Sequence, residues 1–397
     1  MSSKKKVELL APAGNLERLK IAFHYGADAV YLGGQDFSMR ANAKNFSLGD
    51  IYEACSLAHS LKKKVYVTVN IVFHNEDFNG LVDYLKALES YGVDAFIVSD
   101  MAVIDIIKDN NINIPIHIST QMSNCNIESV KYLKDLGVER VVLARESSRE
   151  NTKEIIEKTG IEIECFLHGA MCSSYSGRCV LSNYFTGRDA NRGGCAQICR
   201  WCFDIEQIES DTQFTMSCKD LSLINYLSDM IDIGISSLKV EGRMRSNYYI
   251  ATVISTYRSA IDDYYNEQLT NEKIEYYSKV LNRVANREST SQFFDKFPSV
   301  DEQYYLGRQE VSNQDFLGIV IDYNNDTNEV VLEHRNYFKP GDIVEVFGPN
   351  IKTIEFTIPD IYDEDGNSLE VARHPRQIIK FKLDKKVYKD DIMRIKI

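Results

Sequence analysis

Seven of the nine cysteines, Cys165, Cys172, Cys179, Cys195, Cys199, Cys202 and Cys218, fall between positions 165 and 218, where even scatter along 397 residues would place about one. Four of them follow the spacing C-x6-C-x15-C-x3-C (Cys172, Cys179, Cys195, Cys199), and Cys202 closes a further C-x2-C. Thiolates bind soft metals, and four of them converging from an irregular loop suit either a tetrahedral structural zinc or an iron–sulfur cluster. Zinc ribbons pair two short knuckles, and the first pair here is spaced too widely for one; cluster loops accept irregular spacing, so iron–sulfur is favoured. His168 and Cys172 stand four apart and offer a thiol–imidazole pair as the rival chemistry. A cysteine flanked by three others at ligand spacing reads more readily as a ligand than as a nucleophile.

The chain opens Ser2-Ser3-Lys4-Lys5-Lys6 and runs straight into a short strand-like segment, without the apolar stretch of an export signal. No run of about 18 apolar residues suggests a membrane span. The expected setting is the reducing cytoplasm, where clustered cysteines bind metal or do redox work rather than form structural disulfides. With 44% hydrophobic and 26% charged residues the composition is that of an ordinary soluble chain, long enough for two or three domains or for one large barrel with an appendage.

The elements that must position the thiols come in a repeating order. Apolar runs predict strands at Val7–Leu10, Ala29–Gly33, Val65–Ile71, Ala95–Val98, Ile116–Thr120, Arg140–Ala144, Glu162–Leu167 and Ser237–Val240. Amphipathic stretches between them predict helices at Leu16–Tyr25, Leu48–Ser60, Phe78–Ser90, Ala102–Asp109, Ile127–Leu136, Glu150–Lys158, Leu221–Ile233 and Tyr248–Tyr265. Several junctions run helix, glycine, small apolar residue, strand, as in Tyr91-Gly92-Val93-Asp94-Ala95 and Leu136-Gly137-Val138. Eight strand–helix units over residues 1–265 predict an α/β fold, a (β/α)8 TIM-like barrel, and no strand-linked G-x-G-x-x-G marks the rival open sheet. The cysteine-rich insertion, residues 169–217, follows strand seven and so falls on the barrel's C-terminal face, where the chemistry of such barrels resides. Residues 266–303 read as a helical connector. Residues 304–397 alternate in short strands separated by turns such as Lys339-Pro340-Gly341-Asp342, which predicts a small C-terminal antiparallel β-barrel domain.

The run from Glu164 to Ser182, E-x-F-x2-G-A-M-C-x4-G-x-C-x-L-S, resembles the diagnostic pattern of peptidase family U32, the collagenase-like proteins, at every fixed position. Glu8-Leu9-Leu10-Ala11-Pro12-Ala13-Gly14-Asn15, Tyr31-Leu32-Gly33-Gly34, Arg40-Ala41 and Ser237-Leu238-Lys239-Val240-Glu241-Gly242-Arg243 resemble further landmarks of that family. The name implies proteolysis, but the chain has no H-E-x-x-H, G-x-S-x-G or aspartic D-[ST]-G. The passage from Asn191 to Trp201 is similar to the branch of prephenate-dependent tRNA uridine hydroxylases. That resemblance implies 5-hydroxyuridine formation at the wobble position, a cluster of the [4Fe-4S] type on Cys172, Cys179, Cys195 and Cys199, and prephenate as co-substrate. Cys202 and Cys218 are additional thiols beside this set, and Ser222 stands where relatives often carry a cysteine. A collagenase-like peptidase, and a non-catalytic RNA-binding subunit paired with a paralogous family member, are the alternative functions.

Net charge is −12, so attraction to a polyanion requires a local basic patch. The cysteine loop supplies one, with Arg178, Arg188, Arg192 and Arg200 against Glu164 and Asp189; strand eight supplies another, with Lys239, Arg243 and Arg245 against Glu241. About half of the net negative charge lies in residues 301–397, with 13 basic against 19 acidic side chains. The basic mouth is therefore expected to receive tRNA phosphates and a small dicarboxylate. Arg40, Arg145 and Arg243, each just after a strand, are the candidates for the carboxylates. Arg178, Lys239, Asn70 and Gln121 complete the expected substrate-binding set, with His168 and Glu241 as the catalytic candidates. Trp201, the single tryptophan, is placed to stack on a base or to anchor the loop.

Overall fold

The computed structural model describes residues 6–39, 45–176, 178–204, 214–285, 287–304 and 315–396. Eight parallel strands form its larger part: β1 (Glu8–Pro12), β2 (Ala29–Gly33), β3 (Lys64–Val69), β4 (Ala95–Val98), β5 (Ile116–Ile118), β6 (Arg140–Val142), β7 (Glu162–Gly169) and β8 (Ser237–Val240). They pair in sequence order. β8 closes the ring by pairing with both β1, Glu8 opposite Ser237, and β7, Ser237 opposite Glu164. Helices α1 (Leu16–His24), α2 (Leu48–Ser60), α3 (Leu81–Ser90), α4 (Met101–Asp109), α5 (Ile127–Asp135), α6 (Arg149–Thr159), α7 (Leu227–Asp232) and α8 (Asn247–Tyr265) follow the strands. The eight expected strands and the (β/α)8 barrel are therefore present.

Local chemistry explains the boundaries. Asn15, Ser47, Asp100, Asn126, Ser148 and Ser246 each accept a backbone N–H of the first helical turn, which satisfies a donor that has no partner within the helix. Gly92 and Gly137 take φ of +78° and +74° directly after α3 and α5, a conformation that stops a helix at little cost only for glycine. Strand residues such as Leu9, Val30, Val67 and Phe96 are buried against the helices. A second, smaller cluster of Leu10, Ala29, Tyr31, Tyr66, Ala95 and Ile97 fills the barrel interior.

The helix expected at Leu221–Ile233 begins later. Asp220–Ser222 is instead a strand antiparallel to the end of β7, with His168 opposite Ser222 and Gly169 opposite Leu221. Asp220 is drawn into the fold there by Arg287 at 2.5 Å and Arg245 at 3.4 Å, a pairing that outweighs the helical periodicity of the segment. The stretch after the barrel carries α9 (Asn271–Val284), and then Ser289–Thr290 adds a parallel rung to Asp220–Leu221. Ser217–Cys218 pairs with Gln303–Tyr304, which ties the far end of the cysteine insertion to the chain beyond α9.

Beyond it, β9 (Phe316–Asn324), β10 (Glu329–His334), β11 (Ile343–Gly348), β12 (Ile351–Thr357), β13 (Ile378–Lys382) and β14 (Ile392–Ile395) make an antiparallel sheet in the order β12-β11-β14-β9-β10-β13, extended by Ile361–Tyr362 and Ser368–Leu369. Among the described residues its ladder has two ends. The domain has its own core around Leu332, Phe338 and Phe381. It docks on the barrel by stacking Phe316 on Tyr248, with centroids 4.8 Å apart, and by donation from the Tyr25 hydroxyl to the Asp390 carbonyl at 2.7 Å.

Candidate active site at the barrel mouth

The barrel floor is built of charges that satisfy one another. Arg140, the first residue of β6, bonds Glu8 at 2.6 Å, Glu162 at 2.7 Å and Glu164 at 3.2 Å, and all but Glu162 are nearly removed from water. Lys239, expected as a substrate cation, lies just above this layer. Its Nζ donates to Glu164 at 2.7 Å and sits 4.4 Å from the centre of the Tyr31 ring. The lysine is buried and its charge is matched, so it holds the pocket's base together and presents no free cation to a ligand.

Higher up, at the C-terminal ends of the strands, the side chains become partly accessible. Arg145 stacks its guanidinium 3.7 Å above the Phe166 ring and lies 3.7 Å from the Glu241 carboxylate, which also accepts from the Tyr31 hydroxyl at 3.3 Å. Asn70 accepts from the Met39 N–H at 3.4 Å and donates to Ser119 at 3.2 Å, while the Gln121 amide contacts the Met39 sulfur at 3.2 Å. Asn70 and Gln121 are thus held by the segment ending at Met39, and Arg145 and Glu241 form a second pair, each of the four lying at or just after the end of a barrel strand. Arg40 lies outside the described residues.

Two predicted residues are placed differently. Arg243 is buried, and its guanidinium donates to the Asn45 side chain at 2.9 Å and to the Met39 carbonyl at 3.3 Å. Its path is cut by glycines: a Cβ on Gly33 would stand 2.3 Å from the Arg243 Nη2, and one on Gly14 would stand 2.1 Å from its carbonyl oxygen. Arg243 positions the rim segment rather than facing outward. His168 is turned out of the barrel against α8, its Nδ1 hydrogen-bonded with the Tyr257 hydroxyl at 3.2 Å and its ring packed beside Tyr249. Burial, with help from Arg245, pushes its pKa down to about 3, so it is neutral and gives Cys172 no imidazole partner.

The cysteine insertion is pinned over this rim by residues that spacing alone does not single out. Glu146 accepts from the Ser176 N–H at 3.0 Å and hydroxyl at 2.8 Å, and the Ser123 hydroxyl reaches the Ser176 carbonyl. Asn191 brackets Cys179, accepting from its N–H at 3.2 Å and donating to its carbonyl at 2.9 Å. Arg192 makes a two-pronged bond to Asp77 at 2.5 and 2.9 Å, which holds the Asp77 carboxyl at about 2. Arg192 is therefore spent on anchoring the loop, whereas Arg178 is exposed and meets no carboxylate among the described residues. Only the loop geometry reveals these anchors; a short acidic turn at Asn75-Glu76-Asp77 facing an arginine is the sole hint that the sequence carries.

Cys172, Cys179 and Cys199 lie close enough for their charges to interact. Crowding by the loop pushes the Cys172 thiol up, with Cys179 and Cys199 adding to the rise, while the Ser174 N–H and the Arg145 guanidinium pull it down. Cys218 joins them: burial raises it to about 12, and Cys172 and Cys199 contribute. Cys195 and Cys202 are exposed. Among the described residues no three His, Cys, Asp or Glu side chains close on a single metal ion. Thiolates are the usual ligands of iron–sulfur groups, and this donor set is compatible with one.

Residues 14–304 match peptidase family U32, and residues 312–394 match the C-terminal domain of the same family. The chain belongs to peptidase family U32. Its relatives carry different names. The tRNA hydroxylation protein P1 of Bacillus subtilis is 49% identical and aligns with 98% of this chain and 95% of its own length. The 23S rRNA 5-hydroxycytidine synthase of Escherichia coli is 37% identical over 66% of this chain and 40% of its own. A collagenase of Porphyromonas gingivalis is 34% identical over 76% of this U32 chain and 74% of its own. Among the described residues no helix is long and apolar enough to cross a membrane.

Proposed function

We propose that this U32 protein is an RNA hydroxylase of the cytoplasm that converts a tRNA wobble uridine to 5-hydroxyuridine, using an iron–sulfur cluster and with prephenate as oxygen donor. The observation that carries the reading is the position of Arg145, whose guanidinium faces the Glu241 carboxylate at the rim and also acts on the Cys172 thiol. One cation thus joins the substrate side of the mouth to the thiols. The tRNA and rRNA hydroxylation named for relatives supports the substrate class.

Cys172, Cys179 and Cys199 would hold the cluster, with Cys195 or Cys218 as the fourth ligand. Bound there, it would supply the electron chemistry of oxygen transfer. The chain's own residues divide the remaining tasks. Arg145, kept flat by Phe166, presents guanidinium N–H donors to one carboxylate of the dicarboxylate donor. Glu241, steadied by Tyr31, is the proton acceptor at the rim, and Asn70 and Gln121 offer amides to the uracil edge. Arg178 is available to a phosphate. A paralogous family member as partner is compatible with this reading but has no separate support. The peptidase reading loses its imidazole, because His168 is held by Tyr257 behind the barrel wall.

The test is nucleoside mass spectrometry of tRNA from a deletion strain. 5-Hydroxyuridine should vanish, return with the wild-type chain, and fail to return with Cys172→Ser or Arg145→Gln. Anaerobically purified wild-type protein should carry about four irons per chain. Unchanged tRNA in the deletion strain, or protein purified with zinc and no iron, would overturn the proposal.

A further inference from the structure

The outer side of the cysteine insertion leaves a run of aromatic rings in water. Tyr184 is 84% exposed, and Phe185 and Trp201 are each 47% exposed. They form one surface: Tyr184 and Phe185 meet edge to face at 5.1 Å, Phe185 and Trp201 at 6.4 Å, and Phe185 rests on Phe203 at 6.0 Å, itself backed by Phe214 at 5.8 Å. The front rings are open, while those behind fix their orientation. Chains that stay soluble rarely expose such a patch without a partner for it.

Its surroundings say which partner. Tyr184 and Phe185 lie on the short helix Leu181–Thr186, and an exposed arginine stands just before and just after it, Arg178 and Arg188, neither paired with a carboxylate among the described residues. On a chain of net charge −12, unmatched positive charge beside bare aromatic faces fits a partner that is both anionic and planar. Unpaired nucleic-acid bases have that chemistry: they stack on aromatic side chains irrespective of sequence, while their phosphates meet arginine. A duplex does not, because its bases are already stacked on one another. The helix directly follows Cys179, and Trp201 comes two residues after Cys199, so a strand held there is held beside the thiols.

We propose that Tyr184, Phe185 and Trp201, flanked by Arg178 and Arg188, form a stacking platform for the unpaired bases of an RNA loop. This deepens the hydroxylase reading and rests on it for the choice of RNA. Binding of a labelled anticodon stem-loop by the full-length protein, followed by fluorescence anisotropy, tests it against a fully paired RNA of the same composition. Tyr184→Ala and Trp201→Ala should each weaken loop binding about tenfold, leave duplex binding unchanged, and retain the wild-type circular dichroism and melting temperature. Tyr184→Trp should restore affinity, and Arg188→Gln should lower the slope of log Kd against log salt by about one. Tyr52→Ala, at an exposed aromatic on α2, serves as the control that should change nothing.

Alanine variants that bind the loop as tightly as wild type overturn the platform while leaving the hydroxylase reading intact. Wild-type protein that binds neither RNA overturns both. Loop binding that survives in Tyr184→Ala while an oligomer seen by ultracentrifugation falls apart assigns the patch to a second copy of the chain and overturns the proposal as well.

Discussion

The floor and the mouth of this barrel treat their reactive groups in opposite ways. On the floor, Arg140, Glu8, Glu164 and Lys239 are nearly withdrawn from water, and every charge has a partner at hydrogen-bond distance. Above the mouth, Cys172, Cys195 and Cys202, Tyr184 and Trp201, and Arg178 and Arg188 are left accessible on an irregular insertion. The N-terminal ends of the strands are thus committed to stability, and the C-terminal ends carry groups whose partners come from elsewhere. A buried charge network specifies one arrangement because each member is costly without the others. The insertion has little apolar burial of its own, so it keeps its shape through a few polar clips to the barrel.

The contrast breaks most visibly at Glu164. Glu164→Gln leaves Lys239 buried beside a neutral amide, and loss of one member of a buried pair costs about 3–5 kcal/mol. That is a large share of the roughly 5–15 kcal/mol that holds a domain folded. Urea denaturation should show the midpoint falling steeply, and the double replacement Glu164→Leu with Lys239→Met should recover most of the loss because no charge is then stranded. Substitutions on the insertion, such as Tyr184→Ala, should leave the same midpoint in place. A Glu164→Gln midpoint equal to that of wild type would show that the floor is not a coupled network.

The same division sets what could be read from the sequence. The barrel was legible because strand and helix periodicities are local, and because caps such as Ser47 and stops such as Gly92 act within a few residues of the ends they fix. The thiol cluster was legible as spacing. What could not be read is pairing over distance. Glu164 and Lys239 are 75 positions apart, and Arg243 and Asn45 are 198 apart, so neither strand-end cation shows in the sequence that its donors are already engaged. His168 is hidden for a related reason: its neighbours Tyr257 and Tyr249 arrive from a later helix, and a bulge in β7 opposite Lys239 and Val240 reverses the alternation that puts Glu164 and Phe166 inside. The helix expected from Leu221 gave way to a strand because Asp220 finds Arg245 and Arg287.

A smaller effect sharpens the comparison at the clip between insertion and barrel. The Asp77 carboxylate is only partly buried and Arg192 is a quarter exposed, so water screens their bond to about 1–2 kcal/mol. Asp77→Asn should therefore leave the main unfolding transition within about 1 kcal/mol of wild type. The effect should appear locally, as faster proteolytic cutting between the cysteines and faster amide exchange near Asn191. Uniformly faster exchange throughout the barrel would mean that floor and insertion unfold as one unit.

The smallest effect comes from a buried carboxylate that, unlike Glu164, pairs with no cation among the described residues. Asp391, just before β14, is fully buried, accepts from the Tyr388 N–H at 2.8 Å with one oxygen and, among the described residues, has no hydrogen-bond partner for the other. Burial, with the neighbouring Asp390 charge adding to it, raises its pKa from 3.8 to about 6. The sign follows from linkage: the folded state holds the proton more tightly than the unfolded chain. Asp391 therefore favours folding below pH 4, and that contribution is lost as the pH rises through about 6. Asp391→Asn keeps the acceptor for Tyr388 and removes the charge. It should be near neutral at pH 4 and should stabilise the protein by about 1 kcal/mol at pH 8, less than the roughly 3 kcal/mol of the full shift because the amide buries N–H donors in place of the charge, a rise of a few degrees in melting temperature. Melting curves at the two pH values decide it, since a buried carboxylate with a matching cation would give the opposite result, with the asparagine variant weaker at pH 8.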